Sequence, residues 1–409
     1  MKNITRLIGI GYLVLVVAAA GATVAFGSVG YAPAPLQLGP APEPITVTIW
    51  YSTEKKLWFE EAVRRYMATT PRQGRRPIQV VLRGLGSREI SERIAAQDWR
   101  SDGQPTAVSP AAGIWVEALR TNWAARGNQG QVIDPAQATP LALTPLVLVA
   151  WEERARFLWP DGKNIVWTNL HDALADDRGW PAVVQRAGFA DTSAEAQRAQ
   201  SWGTVKLGHT SPLISNSGTQ LLLLMAYAFH GKTSGLTVAD LQNTEFIAWM
   251  RDIERAVPKF GDSTSAFMDE LVRFGPSQYD VVATYENLAI ENIDSARRWG
   301  TLRVYYPPAT MFSDHPYATL DGPWVAPEQR AAAQQFRDFL LSRQMQELAL
   351  QFGFRPADPN VAISSSEPNN PFVKYAASGI RTDVGGQVAT PNGEVLNTLL
   401  AVWQREINR

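Results

Sequence analysis

A threefold succession of strand, small polar loop and helix between residues 45 and 125 is the feature that most constrains the fold. Strands are predicted over Ile45–Tyr51, Ile78–Arg83 and Thr106–Val108, where apolar and β-branched residues alternate or run together. Each strand is followed by Ser, Thr or Gly and then by a helical pattern. This order is typical of a parallel α/β sheet, in which ligands bind outside the carboxyl ends of the strands.

Five small polar residues fall at that predicted edge of the sheet. Because parallel strands end side by side, we expect these residues to approach a common ligand. Ser and Thr also cap most helices, so each residue alone is equally consistent with an ordinary helix start. The five candidates are Ser52, Thr53, Gly86, Ser87 and Ser109.

A second candidate loop lies at residues 205–218, VKLGHTSPLISNSG. It begins as a predicted strand, Val205–Leu207, and ends before an apolar helix, Thr219–Phe229. Free N–H groups and the helix dipole make such a helix start a suitable anion or carboxylate site, although an ordinary capped helix remains an alternative. The candidate residues in this loop are His209, Thr210, Ser215, Asn216 and Ser217.

Two further candidates, Tyr285 and Glu286, follow a predicted strand. The candidate serines suit a tetrahedral oxyanion, whereas Glu286 suits a cation, an amine or sugar hydroxyls, unless it only complements a helix dipole. Tyr305 and Tyr306 have the chemistry of a ferric-iron site, but two aromatic residues on opposite faces of a strand are the favoured interpretation. We predict no metal and no cofactor.

Composition excludes several classes of function. The chain has 409 residues, which favours two domains, and its net charge of -1 gives no electrostatic basis for binding nucleic acid. It has no cysteine, which excludes disulfides, thiol nucleophiles, Cys-ligated metals and a lipoprotein anchor. Neither a Gly-x-Ser-x-Gly nor a His-Glu-x-x-His motif occurs, so we predict that the protein is not an enzyme.

The N-terminus has the pattern of an export signal. Lys2 and Arg6 precede an uncharged apolar segment, Leu7–Gly27, which is long enough to span a bilayer. Residues 1–27 are therefore predicted to be a signal peptide or a transmembrane anchor, with the uncleaved anchor favoured, and the remainder to be extracytoplasmic. The Pro-rich residues 28–44 are predicted to be a linker.

Two strands are predicted to carry the chain between the domains. Leu143–Trp151, interrupted by Pro145, is the predicted passage into the second domain, and Leu302–Tyr306 is the predicted return. Hinges are expected near Thr144-Pro145 and Tyr306-Pro307. The predicted division is lobe 1 over residues 45–145 and 305–409, and lobe 2 over residues 146–304.

Several longer motifs are distributed over residues 45–409: TIWYSTEKKLW, Thr144-Pro145-Leu146-Val147, KLGHTSPLISNSGTQLLLLMAY, GKTSGLTVADL, GDST, YENLAIE, YYPPATMFSDHPYATLDGPWV and FGFRPADP. On these motifs the sequence resembles the type II extracytoplasmic (periplasmic-type) solute-binding proteins of ABC transporters. The nearest likeness is to the branch often associated with von Willebrand factor A domains. The sequence departs from that pattern because it has no lipobox cysteine and no Asp-x-Ser-x-Ser motif.

The resemblance implies two Rossmann-like lobes that close by hinge motion over a small polar ligand, with an oxyanion as one candidate. The ligand would contact the candidate residues named above. The expected partners are an ABC permease or another membrane protein, with no nucleic acid, and the expected state is a monomer. A membrane-tethered sensing or interaction module that works with a von Willebrand A-type partner is the alternative.

Overall fold

The computed structural model describes residues 42–162, 165–364 and 369–407. The predicted anchor over residues 1–27 and most of the predicted linker lie outside these residues. Within the described part of the chain, no helix combines the length and the apolar character needed to cross a bilayer.

Strands and helices alternate through most of the chain. The strands are β1 (Ile45–Ser52), β2 (Arg72–Gln73), β3 (Arg76–Leu85), β4 (Ala107–Ser109), β5 (Thr139–Pro140), β6 (Ala142–Trp151), β7 (Leu207–Gly208), β8 (Val281–Tyr285), β9 (Leu302–Tyr305), β10 (Ala309–Thr310), β11 (Phe312–Ser313), β12 (Pro316–Thr319), β13 (Arg355–Pro356) and β14 (Gly386–Gln387). The α-helices are α1 (Lys56–Ala68), α2 (Ser87–Ala95), α3 (Ile114–Ala125), α4 (Glu152–Leu158), α5 (Trp167–Leu174), α6 (Trp180–Arg186), α7 (Ala194–Ala199), α8 (Asn216–Phe229), α9 (Val238–Leu241), α10 (Thr244–Arg255), α11 (Thr264–Phe274), α12 (Glu286–Ala296), α13 (Pro327–Leu340), α14 (Arg343–Gln351), α15 (Pro371–Lys374) and α16 (Gly393–Glu406).

The first sheet has the strand order β2-β3-β1-β4-β12-β5. Strand β1 pairs in parallel with β3 on one side and with β4 on the other, so that Ile49 lies opposite both Leu82 and Ala107. The ends of these three strands therefore lie at one edge of the sheet, as the sequence predicted. Strand β12 returns antiparallel to β4.

The second sheet is built around β6. This strand pairs antiparallel with β8, β9, β11 and β13, and β7 joins in parallel to β8. Its residues are almost all buried, which explains the near-continuous apolar run. Pro145 pairs opposite Phe312 of the short strand β11.

The chain passes between the two sheets three times. It leaves the first sheet between β5 and β6 at Leu141, and returns between β11 and β12 at Asp314 and His315. It crosses again before β13, where Phe354 packs in the first core and Arg355 pairs with β6. The first crossing lies just before the expected hinge Thr144-Pro145 and the second lies after the expected hinge Tyr306-Pro307, so both hinges stay predictions.

The C-terminal region packs with the second sheet. Val395, Leu399 and Trp403 of α16 belong to the same apolar core as β6 and β8, and α16 contacts α8, α9 and α10. The predicted lobe 1 included residues 305–409 and stays a prediction, although α16 packs on the core of the second sheet, which the sequence did not indicate. The reason is that an amphipathic helix shows which face it buries but not which surface receives that face.

Candidate functional site

Four side chains form a buried polar group at the end of β1, which we call the strand-end cluster: Ser52, Glu54, Lys55 and His315. Glu54 accepts hydrogen bonds from the hydroxyl of Ser52 and, at 3.1 Å, from the ammonium of Lys55. His315 Nδ1 lies 3.2 Å from the same carboxylate. Lys55 donates further to Ser52 Oγ and to the carbonyl of Pro110. A carboxylate of the chain itself therefore takes up the donors at this strand end.

Charge pairing keeps Glu54 ionised although it is buried. Burial by itself would raise the pKa of Glu54, but the Lys55 ammonium and the hydrogen bond with His315 outweigh it and hold that pKa well below its usual range. Burial lowers the pKa of Lys55, against the attraction of Glu54. Burial and the neighbouring Lys55 charge lower the pKa of His315. The cluster thus places the Glu54 carboxylate in contact with both Lys55 and the His315 imidazole.

The other candidates of the first sheet lie around this cluster. Ser109 ends β4, and its hydroxyl is buried without a hydrogen-bond partner in the described part of the chain. Ser52 Oγ lies 3.5 Å from the carbonyl oxygen of Ser109, so the structure does bring these two residues together. Ser87 begins α2, and its hydroxyl accepts the N–H of Ala111 at 2.9 Å.

Two candidate loops of the first sheet touch elements that pack on the second. Thr53 Oγ1 lies 2.8 Å from Ser263 Oγ, the residue that caps α11. Gly86 approaches the loop before α8 so closely that a Cβ atom on it would lie 3.1 Å from the carbonyl oxygen of Ile214. The edges predicted to face each other are therefore in direct contact.

Asn216 links the two sheets through its side-chain amide. Its Oδ1 accepts the indole N–H of Trp115 at 2.7 Å, and Trp115 lies in the first turn of α3. Its Nδ2 donates to the Tyr285 hydroxyl at 2.8 Å and to Ser313 Oγ at 3.1 Å. Asn216 and Tyr285, both predicted as ligand contacts, thus contact each other.

The hydroxyls at the start of α8 bond mainly to one another. Ser217 Oγ lies 2.7 Å from the hydroxyl oxygens of both Thr210 and Thr264. Ser215 Oγ lies 3.2 Å from Thr264 Oγ1. The candidates Thr210, Ser215 and Ser217 form one network, which Thr264 at the start of α11 completes.

Two predicted site residues are engaged elsewhere. His209 is buried against α10, where its Nε2 lies 3.2 Å from Glu254 Oε2. Burial would lower its pKa, but the charge of Glu254 raises it above the ordinary value. Glu286 accepts two hydrogen bonds of 2.7 Å from Arg355 and another from the Tyr306 hydroxyl. Burial raises the pKa of Glu286 despite this pairing.

Tyr305 and Tyr306 are both buried, and the Tyr306 hydroxyl donates to Glu286. Burial raises the pKa of Tyr305 to about 12. Within residues 42–162, 165–364 and 369–407, no group of three or more His, Asp or Glu side chains is placed to hold a metal ion.

Sequence reasoning did not select Glu54, Lys55, Trp115, Thr264 or His315 as site residues. The first two directly follow a strand end, which was a usable signal. Trp115 and Thr264 lie at helix starts, where only packing reveals that their side chains reach another element. His315 has a φ of 41°, a left-handed conformation that sequence alone does not specify for histidine.

A cavity of about 280 Å³ lies beside the Asn216 contact. Its walls come from the loop after β4, the start of α8, strands β6 and β11, and the C-terminal segment. The lining residues are Ala112, Gly113, Ile114, Leu143, Asn216, Thr219, Gln220, Leu223, Met311, Phe312, Asp314, Gln387 and Thr390.

The profile of the family described as "Bacterial extracellular solute-binding protein" matches residues 47–355, which is more than half of the chain. The chain belongs to this family. Two uncharacterized proteins of Mycobacterium tuberculosis, from strains CDC 1551 / Oshkosh and H37Rv, are each 24% identical over 353 residues. Each alignment covers 83% of this chain and 47% of the relative, so the chain spans about half the length of these relatives.

Solved structures agree with the family assignment at the level of fold. The sulfate-binding protein SubI from Mycobacterium tuberculosis H37Rv is 20% identical with a TM-score of 0.52, covering 88% of this chain and 97% of SubI. A periplasmic thiamin binding protein is 12% identical with a TM-score of 0.58, covering 91% and 100%. The periplasmic binding protein AfuA from Actinobacillus pleuropneumoniae is 13% identical with a TM-score of 0.55, covering 90% and 99%. This mixed α/β solute-binding protein therefore has the fold of periplasmic binding proteins.

Proposed function

We propose that this solute-binding protein captures a small polar solute between two α/β lobes outside the cytoplasm and delivers it, chemically unchanged, to an ABC permease. The observation that carries the proposal is that loops from both sheets meet around Asn216, next to a cavity. The chain also belongs to the solute-binding family. Clefts between α/β units are frequent ligand sites.

The two lobes would move about the three chain crossings. We assign residues 45–140 and 316–354 to the first lobe, and residues 142–313 and 355–407 to the second. This revises the predicted boundaries to follow the sheets and cores. Hinge motions are absorbed by a few residues between rigid elements, and each crossing is short enough for that role.

The proposed location and state follow from the family and from the sequence. The basic residues before Leu7–Gly27 support either an uncleaved membrane anchor or a signal peptide. We propose that it acts as a monomer, and action without catalysis agrees with a family described by solute binding.

Thermal unfolding of the full chain in a mild detergent tests the proposal. Sulfate, molybdate, phosphate, ferric citrate, glucose and putrescine would be added one at a time. A solute present at about 100 times its Kd should stabilise the folded state by about 2.7 kcal/mol. The absence of a shift with every class of solute would contradict the proposal.

One matched pair of variants locates the binding. Ser109→Ala removes a buried hydroxyl that has no partner in the described residues, so it should change solute binding more than folding. Ser91→Ala is the control, because Ser91 is also buried and its hydroxyl is also unpartnered there. A solute-induced shift that is reduced only in Ser109→Ala supports a site at the strand ends.

A further inference from the structure

The donors at the strand ends are largely occupied by the chain itself. Glu54 accepts from Ser52 and Lys55, as an oxyanion would if it lay there. The Ser215 and Ser217 hydroxyls bond within the network at the start of α8. Apart from the unpartnered Ser109 hydroxyl, these side-chain donors are therefore occupied, and a buried carboxylate lies among them.

The adjoining cavity has the opposite electrostatic character from an anion site. Among the described residues that line it, none is basic, and one, Asp314, is acidic. Asp314 Oδ1 accepts the N–H of Gly113 at 2.8 Å, and no described group donates to its Oδ2. The negative charge of Asp314 favours a higher pKa for both Lys55 and His315. Lys55 thus contacts the Glu54 carboxylate directly, and Asp314 lies beyond salt-bridge distance from it.

The remaining walls of the cavity offer acceptors on an apolar background. Gln220 is 3% exposed and lines the cavity, and its Oε1 has no partner in the described residues. Its Nε2 donates to Ser313 Oγ at 3.1 Å and to the carbonyl oxygen of Phe312 at 3.5 Å, and because a carbonyl only accepts, the second contact orients the amide. Leu143, Leu223 and Phe312 provide apolar surface. An unpaired acceptor, a carboxylate and apolar walls together fit an ammonium group on a short hydrocarbon body.

We infer that the solute is a small organic amine, bound in the cavity between Asp314, Gln220 and the start of α8. This inference rests on the proposed solute-binding function and narrows it to one class of ligand. The ammonium N–H groups would donate to Asp314 Oδ2 and Gln220 Oε1, and the hydrocarbon part would lie against the apolar wall. Glu54 acts as a specificity determinant, because its carboxylate disfavours oxyanions at the strand ends.

Isothermal titration of the full chain in a mild detergent, with putrescine and sulfate as probes, tests the inference. Putrescine should bind and sulfate should not. Asp314→Asn keeps the acceptor for Gly113 but removes the charge, so it should weaken putrescine binding by about ten-fold or more. Asp134→Asn is the control, because Asp134 also accepts a backbone N–H from a half-buried position but lies at none of the cavity walls.

A charge change at the cavity mouth provides a second test that does not disturb the core. Thr390 is exposed and lines both this cavity and an adjoining one of about 540 Å³. Thr390→Lys should weaken putrescine binding by about three-fold or more, and Thr390→Asp should strengthen it, with both effects reduced by salt.

The outcomes separate the inference from the proposed function. Sulfate binding that is lost in Ser109→Ala would overturn the amine assignment and leave solute binding standing. A putrescine affinity that is unchanged in both Asp314→Asn and Thr390→Lys would overturn the placement of the site. No binding of putrescine or of any other solute in the thermal-unfolding panel would overturn both the inference and the proposed function.

Discussion

Replacing Asn216 by alanine should destabilise the protein measurably even though no ligand is involved. The side chain is buried, at 2% exposure, and it is the direct link between Trp115 and Tyr285. Without it, the indole N–H and the phenol hydroxyl lose partners in a region from which water is largely excluded. Each buried group left unsatisfied costs about 1–3 kcal/mol, so we expect a total of about 2–6 kcal/mol for the two groups.

The size of the folded unit sets the corresponding shift in melting temperature. Unfolding entropy is about 2.1 cal/mol/K per residue, which gives about 0.8 kcal/mol/K for the roughly 370 residues of the compact unit from Pro44 onward. A loss of about 3 kcal/mol should therefore lower Tm by about 4 °C. Calorimetry of the full chain in a mild detergent measures this shift.

Asn397→Ala is the matched control for this experiment. Asn397 is exposed on α16 and makes no hydrogen bond with its side chain among the described residues. Its replacement should change stability by less than about 0.5 kcal/mol. If the two alanine variants melt within about 1 °C of each other, the Asn216 amide does not join the two sheets energetically.

Three further perturbations have defined outcomes. Arg355→Met should lower stability by about 3–5 kcal/mol in urea unfolding, because Glu286 stays buried without its partner, and an unchanged midpoint would contradict this. Gly218→Ala should cost about 1–3 kcal/mol, because its Cβ would overlap the backbone of the preceding loop, whereas Gly393→Ala has open space and should change stability by less than about 0.5 kcal/mol. Folding raises the pKa of His209. The stability that protonated His209 contributes is therefore fully present below the unfolded pKa of about 6.5, and it is lost as pH rises through the folded pKa. The stability difference between wild type and His209→Gln should shrink as pH is raised, and a widening difference would refute the role of the buried pair.

The sequence by itself determined the local elements and the parallel arrangement of the first three predicted strands. The alternating residues of β1 and the amphipathic pattern of α1 are local signals, since periodicity reports which face of an element is buried. The strand Ala142–Trp151 was also recognisable, because a strand buried on both faces requires an almost continuous apolar run. The Ser, Asn and Gly residues before the apolar run of α8 marked a helix start, and the helix begins at Asn216.

Only the tertiary structure decided how the polar side chains of the site pair. The sequence placed serines at the strand ends, but it did not show that Glu54 and Lys55 would be buried beside them and take up their hydrogen bonds. Nor did it show that Glu286 would pair with Arg355 across 69 positions of the chain. Such pairs depend on which loops contact each other, and those contacts are set by the tertiary fold as a whole.

The same distinction explains the C-terminal helix. Its apolar stripe required burial against some surface, and either core would have satisfied that requirement. The third crossing at Phe354 and Arg355 directs the following segment to the second sheet, where Trp403 packs against Phe260. Periodicity determined that this helix must be covered, and the three-dimensional path of the chain decided what covers it.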